Sequence, residues 1–116
     1  MKDLKSRTKE FAVNCWKFCN KIPHSREYNA YVNQLLRSSS SVGANYRAAQ
    51  RAKSTADFIN KLKIVEEEAD ESMYFIELFI EILNENLKEA EALHVEANEI
   101  LSIVVASINT ARRNQK

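Results

Sequence analysis

Two cysteines and two histidines are the side chains of this sequence best suited to hold a metal or act as nucleophile and base. Cys15 and Cys19 stand four apart, so a helix would carry both thiols on one face. A structural zinc needs four such ligands, and only His24 and His94 remain, far away in the chain. Glu91 and His94 have the Glu-x-x-His spacing of dinuclear carboxylate sites, but such a site needs a second pair and two more glutamates. His24 follows Pro23 with no carboxylate at the matching interval. Gly43 stands alone, so there is no glycine-rich loop to cradle a phosphate. The thiols read as small apolar fillers. The sequence therefore predicts no catalytic residues, no metal and no cofactor, and a protein that is not an enzyme.

Charge is the stronger signal. The net value of +1 hides an asymmetry: through Lys63, thirteen Lys/Arg stand against four Asp/Glu, and from Ile64 onward four stand against twelve. Such a chain either meets an anionic partner, self-associates through unlike faces, or neutralises itself between adjacent helices. Lys5, Lys9, Lys17, Lys21, Arg47 and Arg51 are the candidate phosphate contacts, with Tyr28, Tyr31 and Tyr46 interleaved as stacking surfaces. The run Glu66, Glu67, Glu68, Asp70 and Glu71 covers nearly every side of a helix, so some carboxylate must turn inward and find a cation. Arg37, Asn45 and Arg47 are the candidate partners, and Arg37, Asn45, Glu68 and Glu71 are expected to form a structural polar network.

These residues need elements to position them. One glycine and one proline among 116 residues leave almost no turn-formers, so the composition demands long helices in a single domain spanning 1–116. Phe11, Cys15, Phe18 and Ile22 make a 4-3-4 stripe over a helix from about Ser6 to Ile22, broadened by Ala12, Trp16 and Cys19 and closed by Pro23. Ser25 caps a second helix of about 26 residues, whose stripe of Tyr28, Tyr31, Val32, Leu35, Ser39, Val42, Tyr46 and Ala49 keeps phase through Ser38–Gly43. Small residues there let a neighbouring backbone come close. Ser54 with Asp57, and Asn86 with Glu89, read as capping boxes opening a third and a fourth helix. Short turns make consecutive helices antiparallel, which predicts an all-α, up-down-up-down four-helix bundle. No apolar run reaches the roughly 20 residues of a membrane span, and no signal peptide is visible. The expectation is a cytoplasmic protein with reduced thiols and no membrane contact.

The segment Leu35-Leu36-Arg37-Ser38-Ser39-Ser40-Ser41-Val42-Gly43-Ala44-Asn45-Tyr46-Arg47 resembles a known family, as do Asp57–Ile64 and Glu67-Glu68-Ala69-Asp70-Glu71-Ser72-Met73-Tyr74-Phe75-Ile76. The tail Glu99–Arg112 is similar to that family's last helix. These are the four-helix-bundle proteins encoded in intervening sequences of bacterial 23S ribosomal RNA genes, together with the accessory variability determinants of diversity-generating retroelements. The resemblance implies a homopentameric ring, a basic surface that contacts RNA or DNA and, for retroelement members, a reverse-transcriptase partner. Many members carry Ile-Ala-Glu-Gly where Tyr46-Arg47-Ala48-Ala49 stands, and Trp-Leu where Phe75-Ile76 stands. The first change introduces a cation next to the expected polar network. The resulting expectation is a ring-forming bundle that binds nucleic acid through its first two helices. The alternative is a scaffold that receives a reverse transcriptase or another acidic-surfaced protein and touches no nucleic acid.

Overall fold

The structure, a computed structural model, describes residues 2–115. Its elements are α1 (Leu4–Cys19), α2 (Arg26–Gln50), α3 (Thr55–Ile82) and α4 (Leu87–Asn114). Each helix packs on its chain neighbours and α1 also packs on α4, while the backbones of the diagonal pairs, α1 with α3 and α2 with α4, stay farther apart. The order around the bundle is therefore the order in the chain, with alternating direction. The long axis measures 50 Å against 25 and 21 Å across.

Three helices begin with a polar side chain satisfying an orphan N–H. Asp3 Oδ1 accepts from Ser6 N at 2.8 Å, Ser25 Oγ from Tyr28 N at 3.0 Å, and Ser54 Oγ from Asp57 N at 3.0 Å. The Asp57 carboxylate reaches past the cap to Lys53 N at 3.1 Å, and Lys61 beside it holds this carboxyl below its ordinary range. Helix α1 stops three residues earlier than its stripe suggests. Ahead of Pro23 the last amides shorten their reach, Lys21 N donating to Phe18 O and Ile22 N to Cys19 O, yet Ile22 stays buried.

The fourth helix begins differently from the expected capping box. Asn86 sits at φ 62° in the left-handed region and its side chain caps nothing. The tight connection from Leu83 needs that conformation, which asparagine tolerates better than most residues. Glu89 turns instead to Lys21. Replacing Asn86 by Val should therefore cost about 1–2 kcal/mol, and by Gly almost nothing, as read from urea midpoints.

The core contains Phe11, Phe18, Leu35, Val42, Leu62, Val65, Ile76, Phe79, Ile100 and Val104, all fully buried. Helix α2 runs unbroken through its serine stretch. Gly43 is the point of closest approach to α1: a Cβ there would stand 3.3 Å from Thr8 Oγ1. Ser72 Oγ donates to Ser38 Oγ at 2.9 Å in the buried α2–α3 seam, and among the described residues no buried side-chain polar atom lacks a partner. Two expected core residues lie outside. Trp16 is 59% exposed and Tyr31 is 36% exposed. Trp16 follows the inward Cys15 by one residue, a turn of about 100° that carries it out of the core to the edge of a surface groove it lines with Asn29, Val32 and Leu36 of α2.

Candidate nucleic-acid interface

The fold sorts the cations by what faces them. Arg7 lies on the α4 side of α1, where Nε and Nη2 donate to Glu96 at 3.0 and 2.6 Å; this pairing pushes the guanidinium above its ordinary value. Lys21 donates to Glu89 at 2.8 Å, Lys2 to Glu10 at 2.6 Å and Lys61 to Asp57 at 2.7 Å. Lys5, Lys9 and Arg47 face away from α4. They line a groove of about 500 Å³ between α1 and α2, together with Thr8, Ser40, Gly43 and Ala44. The small residues of α2 keep this groove open, and no described carboxylate pairs with its three cations. A groove with unpaired cations on both walls suits a phosphate backbone.

Alternating helix direction adds to it. The start of α1, the end of α2, the start of α3 and the end of α4 share one end of the bundle. Arg51 and Lys53 in the α2–α3 connection, and Arg112 and Arg113 in the last turn of α4, therefore join Lys5 and Arg47 there. The sequence reading of the phosphate contacts omitted Lys53, Arg112 and Arg113. The antiparallel topology itself was the signal that could have placed them. Lys17 and Lys21 are not brought to this group. They lie at the far end of α1, about a dozen residues or 18 Å along the axis from Lys5. That end carries Glu77, Glu81, Glu85, Glu89 and Glu91. The charge asymmetry read along the sequence thus becomes an asymmetry between the two ends of the bundle.

The inward carboxylates meet one cation of the expected set. Arg37 Nη1 donates to Glu68 at 2.9 Å and Nη2 bonds Glu71, joining α2 to α3. Asn45 belongs elsewhere: its Nδ2 donates to Ser41 O and Oγ, at 2.9 and 2.8 Å, within its own helix. Arg47 is turned into the α1–α2 groove. The tyrosines are partly committed to packing. Tyr31 meets Phe75 and Phe79 at ring separations of 5.9 and 6.2 Å, and burial, followed by the Asp3 charge, pushes the Tyr46 phenol up.

Cys15 and Cys19 are buried, and burial pushes both thiols up, Cys19 to about 12. At neutral pH neither is a thiolate, the reactive form. Ellman's reagent should leave both unmodified in native protein and titrate two thiols in denaturant. His94 Nε2 meets Glu77 Oε2 at 2.9 Å, and His24 is exposed. Among the described residues no group of three or more His, Cys, Asp or Glu is placed to hold a metal ion. No helix among them is long and apolar enough to cross a membrane.

Antiparallel helices in chain order, a serine-lined α2–α3 seam and a basic end define a class of small four-helix bundles. The family model of the 23S rRNA-intervening sequence protein matches residues 3–106, and the chain belongs to that family. A crystal structure of a protein of unknown function from the S23 ribosomal protein family, from Bacteroides thetaiotaomicron VPI-5482, is similar to it throughout. The two share 34% sequence identity at a TM-score of 0.81, over 91% of this chain and 98% of the other. None of the curated proteins matches.

Proposed function

We propose that this chain is a non-enzymatic, cytoplasmic, ring-forming bundle, pentameric as the family resemblance implies, that binds structured RNA through its basic end. The observation that carries the reading is the α1–α2 groove, where Lys5, Lys9 and Arg47 have no acidic partner among the described residues while Arg7 at the same end is neutralised. Arg51, Lys53, Arg112 and Arg113 extend the same field. Phosphates would take the cations, and the exposed Ser40 hydroxyl at the groove would donate to backbone oxygens or accept from sugar hydroxyls. The Arg37–Glu68–Glu71 cluster is a structural strut in this reading, since both of its carboxylates already hold a cation.

The test is fluorescence anisotropy of a labelled structured RNA titrated with protein at several salt concentrations. Phosphate contacts release counterions, so affinity should fall steeply as salt rises, by a slope of about 0.7–0.9 per contact. Absence of binding at low salt refutes the reading. Capture of an acidic protein, a reverse transcriptase included, that RNA competitor leaves undisturbed would favour the scaffold alternative.

A further inference from the structure

The seam between α1 and α2 that holds the unpaired cations continues past them toward the far end of the bundle. Lys5, Lys9, Ala12 and Trp16 recur at intervals of four, three and four, which keeps them on one side of α1. On α2, Arg47, Gly43, Ser40, Leu36 and Val32 keep step in the reverse direction. Ala12 and Ser40 close the cation groove, and one turn further on Trp16 and Leu36 open a second, smaller pocket. It measures about 160 Å³, below the roughly 300 Å³ at which sites for drug-sized ligands begin.

The lining of this pocket suits a nucleobase. Val32 and Leu36 give it an apolar wall, and the exposed indole of Trp16 stands at its edge, two helical turns or about 10 Å beyond Lys9. Asn20, His24 and Asn29, all exposed, ring it with hydrogen-bond donors and acceptors. No carboxylate lines it. The other large exposed aromatic, Tyr74, differs in this respect: Glu77, Glu81 and Glu91 share its groove between α3 and α4 and would repel a phosphate backbone.

We propose that Trp16 is the platform on which an unpaired base of the bound RNA stacks, with Asn20, His24 and Asn29 facing the edge of that base while Lys5 and Lys9 hold the preceding phosphates. This deepens the RNA reading above and rests on it. The bases of an A-form duplex are stacked on one another, so an indole reaches a π-face only where a nucleotide is unpaired, in a loop, a bulge or a tail. The substrate class is therefore RNA that carries single-stranded nucleotides beside its helix. Stacking is tolerant of sequence, because every base offers a face, and any preference among bases falls to the three polar side chains.

The test compares two labelled hairpins that share one stem, one blunt and one with a short unpaired uridine tail. Wild type should bind the tailed hairpin more tightly than the blunt one. Trp16 is the only tryptophan, so its emission reports the contact directly and should be quenched by the tailed hairpin alone. Trp16→Ala should weaken binding of the tailed hairpin by about 5- to 150-fold and leave the blunt one unchanged. The salt slope should stay as in wild type, since no cation is removed. Trp16→Phe should restore part of the loss. The position is exposed and alanine favours helix, so folding should survive, with helicity checked by circular dichroism. Emission that stays constant at saturating tailed RNA overturns the proposal even if the variant fails to fold, as does equal affinity of Trp16→Ala and wild type. A variant whose mass in light scattering changes while its RNA affinity does not makes Trp16 a protein contact and overturns it too. Failure of wild type to bind either hairpin at low salt overturns the RNA reading itself, whereas binding without quenching removes only the stacked base.

Discussion

The triple variant Lys5→Glu, Arg47→Glu, Arg51→Glu is expected to bind structured RNA at least about 100-fold more weakly than wild type at low salt. Each phosphate-contacting cation removed should lower the salt slope by about one, and reversal adds repulsion to the loss. The three residues come from α1, the end of α2 and its C-cap, and none has an acidic partner among the described residues. Reversal therefore breaks no described ion pair. Glu at position 5 suits the start of α1, and Glu at 47 and 51 opposes the end of α2 by about 0.3–1 kcal/mol each, so folding should survive. Arg26→Glu supplies the control. Its side chain is exposed at the opposite end and bonds only Glu27, so affinity should stay within about twofold of wild type. Equal affinity of the triple variant and wild type would refute the basic end as the binding surface.

Phe79→Ala should be the most damaging single truncation in the core. Phe79 is fully buried and meets Phe18 of α1 edge-to-face, with centroids 5.7 Å apart and planes at 77°. It also stands edge-on to Tyr31 of α2 at 6.2 Å. One ring of α3 thus ties together α1 and α2, and no neighbour can fill its volume without moving a helix. Truncation of a buried Phe costs about 3–5 kcal/mol, transfer and cavity together. At roughly 4 °C or more per kcal/mol for a domain of this size, the melting midpoint should fall by about 12 °C or more. Calorimetry reads this directly. A fall of only a few degrees would show that the bundle collapses onto the vacated space. Phe75→Ala provides the comparison, since that ring is only partly buried and should cost less.

The two outcomes bear on different levels of the molecule. Truncating Phe79 tests the packing that holds the helices in order, and the charge reversal tests what that order brings to one end. The Arg37 cluster links the levels, because it binds α2 to α3 with cations and carboxylates that then become unavailable to a partner.

Much of this was legible in the residues themselves. The four helices, the caps at Ser25 and Ser54 and the passage of α2 through Ser38–Gly43 follow from apolar spacing and from the scarcity of glycine and proline, since both act over a few residues. The buried thiols and the pairing of an inward glutamate with Arg37 follow from the same local logic. Where spacing was ambiguous, neighbours decided. Trp16 of α1 and Tyr31 of α2 sit beside inward positions and fit a broad stripe, but each of these helices has neighbours on only two sides. Asn86 carries a cap-forming side chain, but the connection needed its tolerance of positive φ instead.

Charge separates the two kinds of knowledge most clearly. That basic residues come first and acidic residues later is a matter of order along the chain, readable without any fold. Tertiary structure alone decided what this order means in space. Antiparallel helices fold the chain back on itself, so Lys17 and Lys21 are carried away from Lys5 while Arg112 and Arg113 are brought to the end it occupies. Coulomb attraction acts between groups near in space, and a pair such as Arg7 and Glu96 is distant in sequence. Which cations are neutralised and which stay open to a phosphate was therefore settled only when α4 closed against α1.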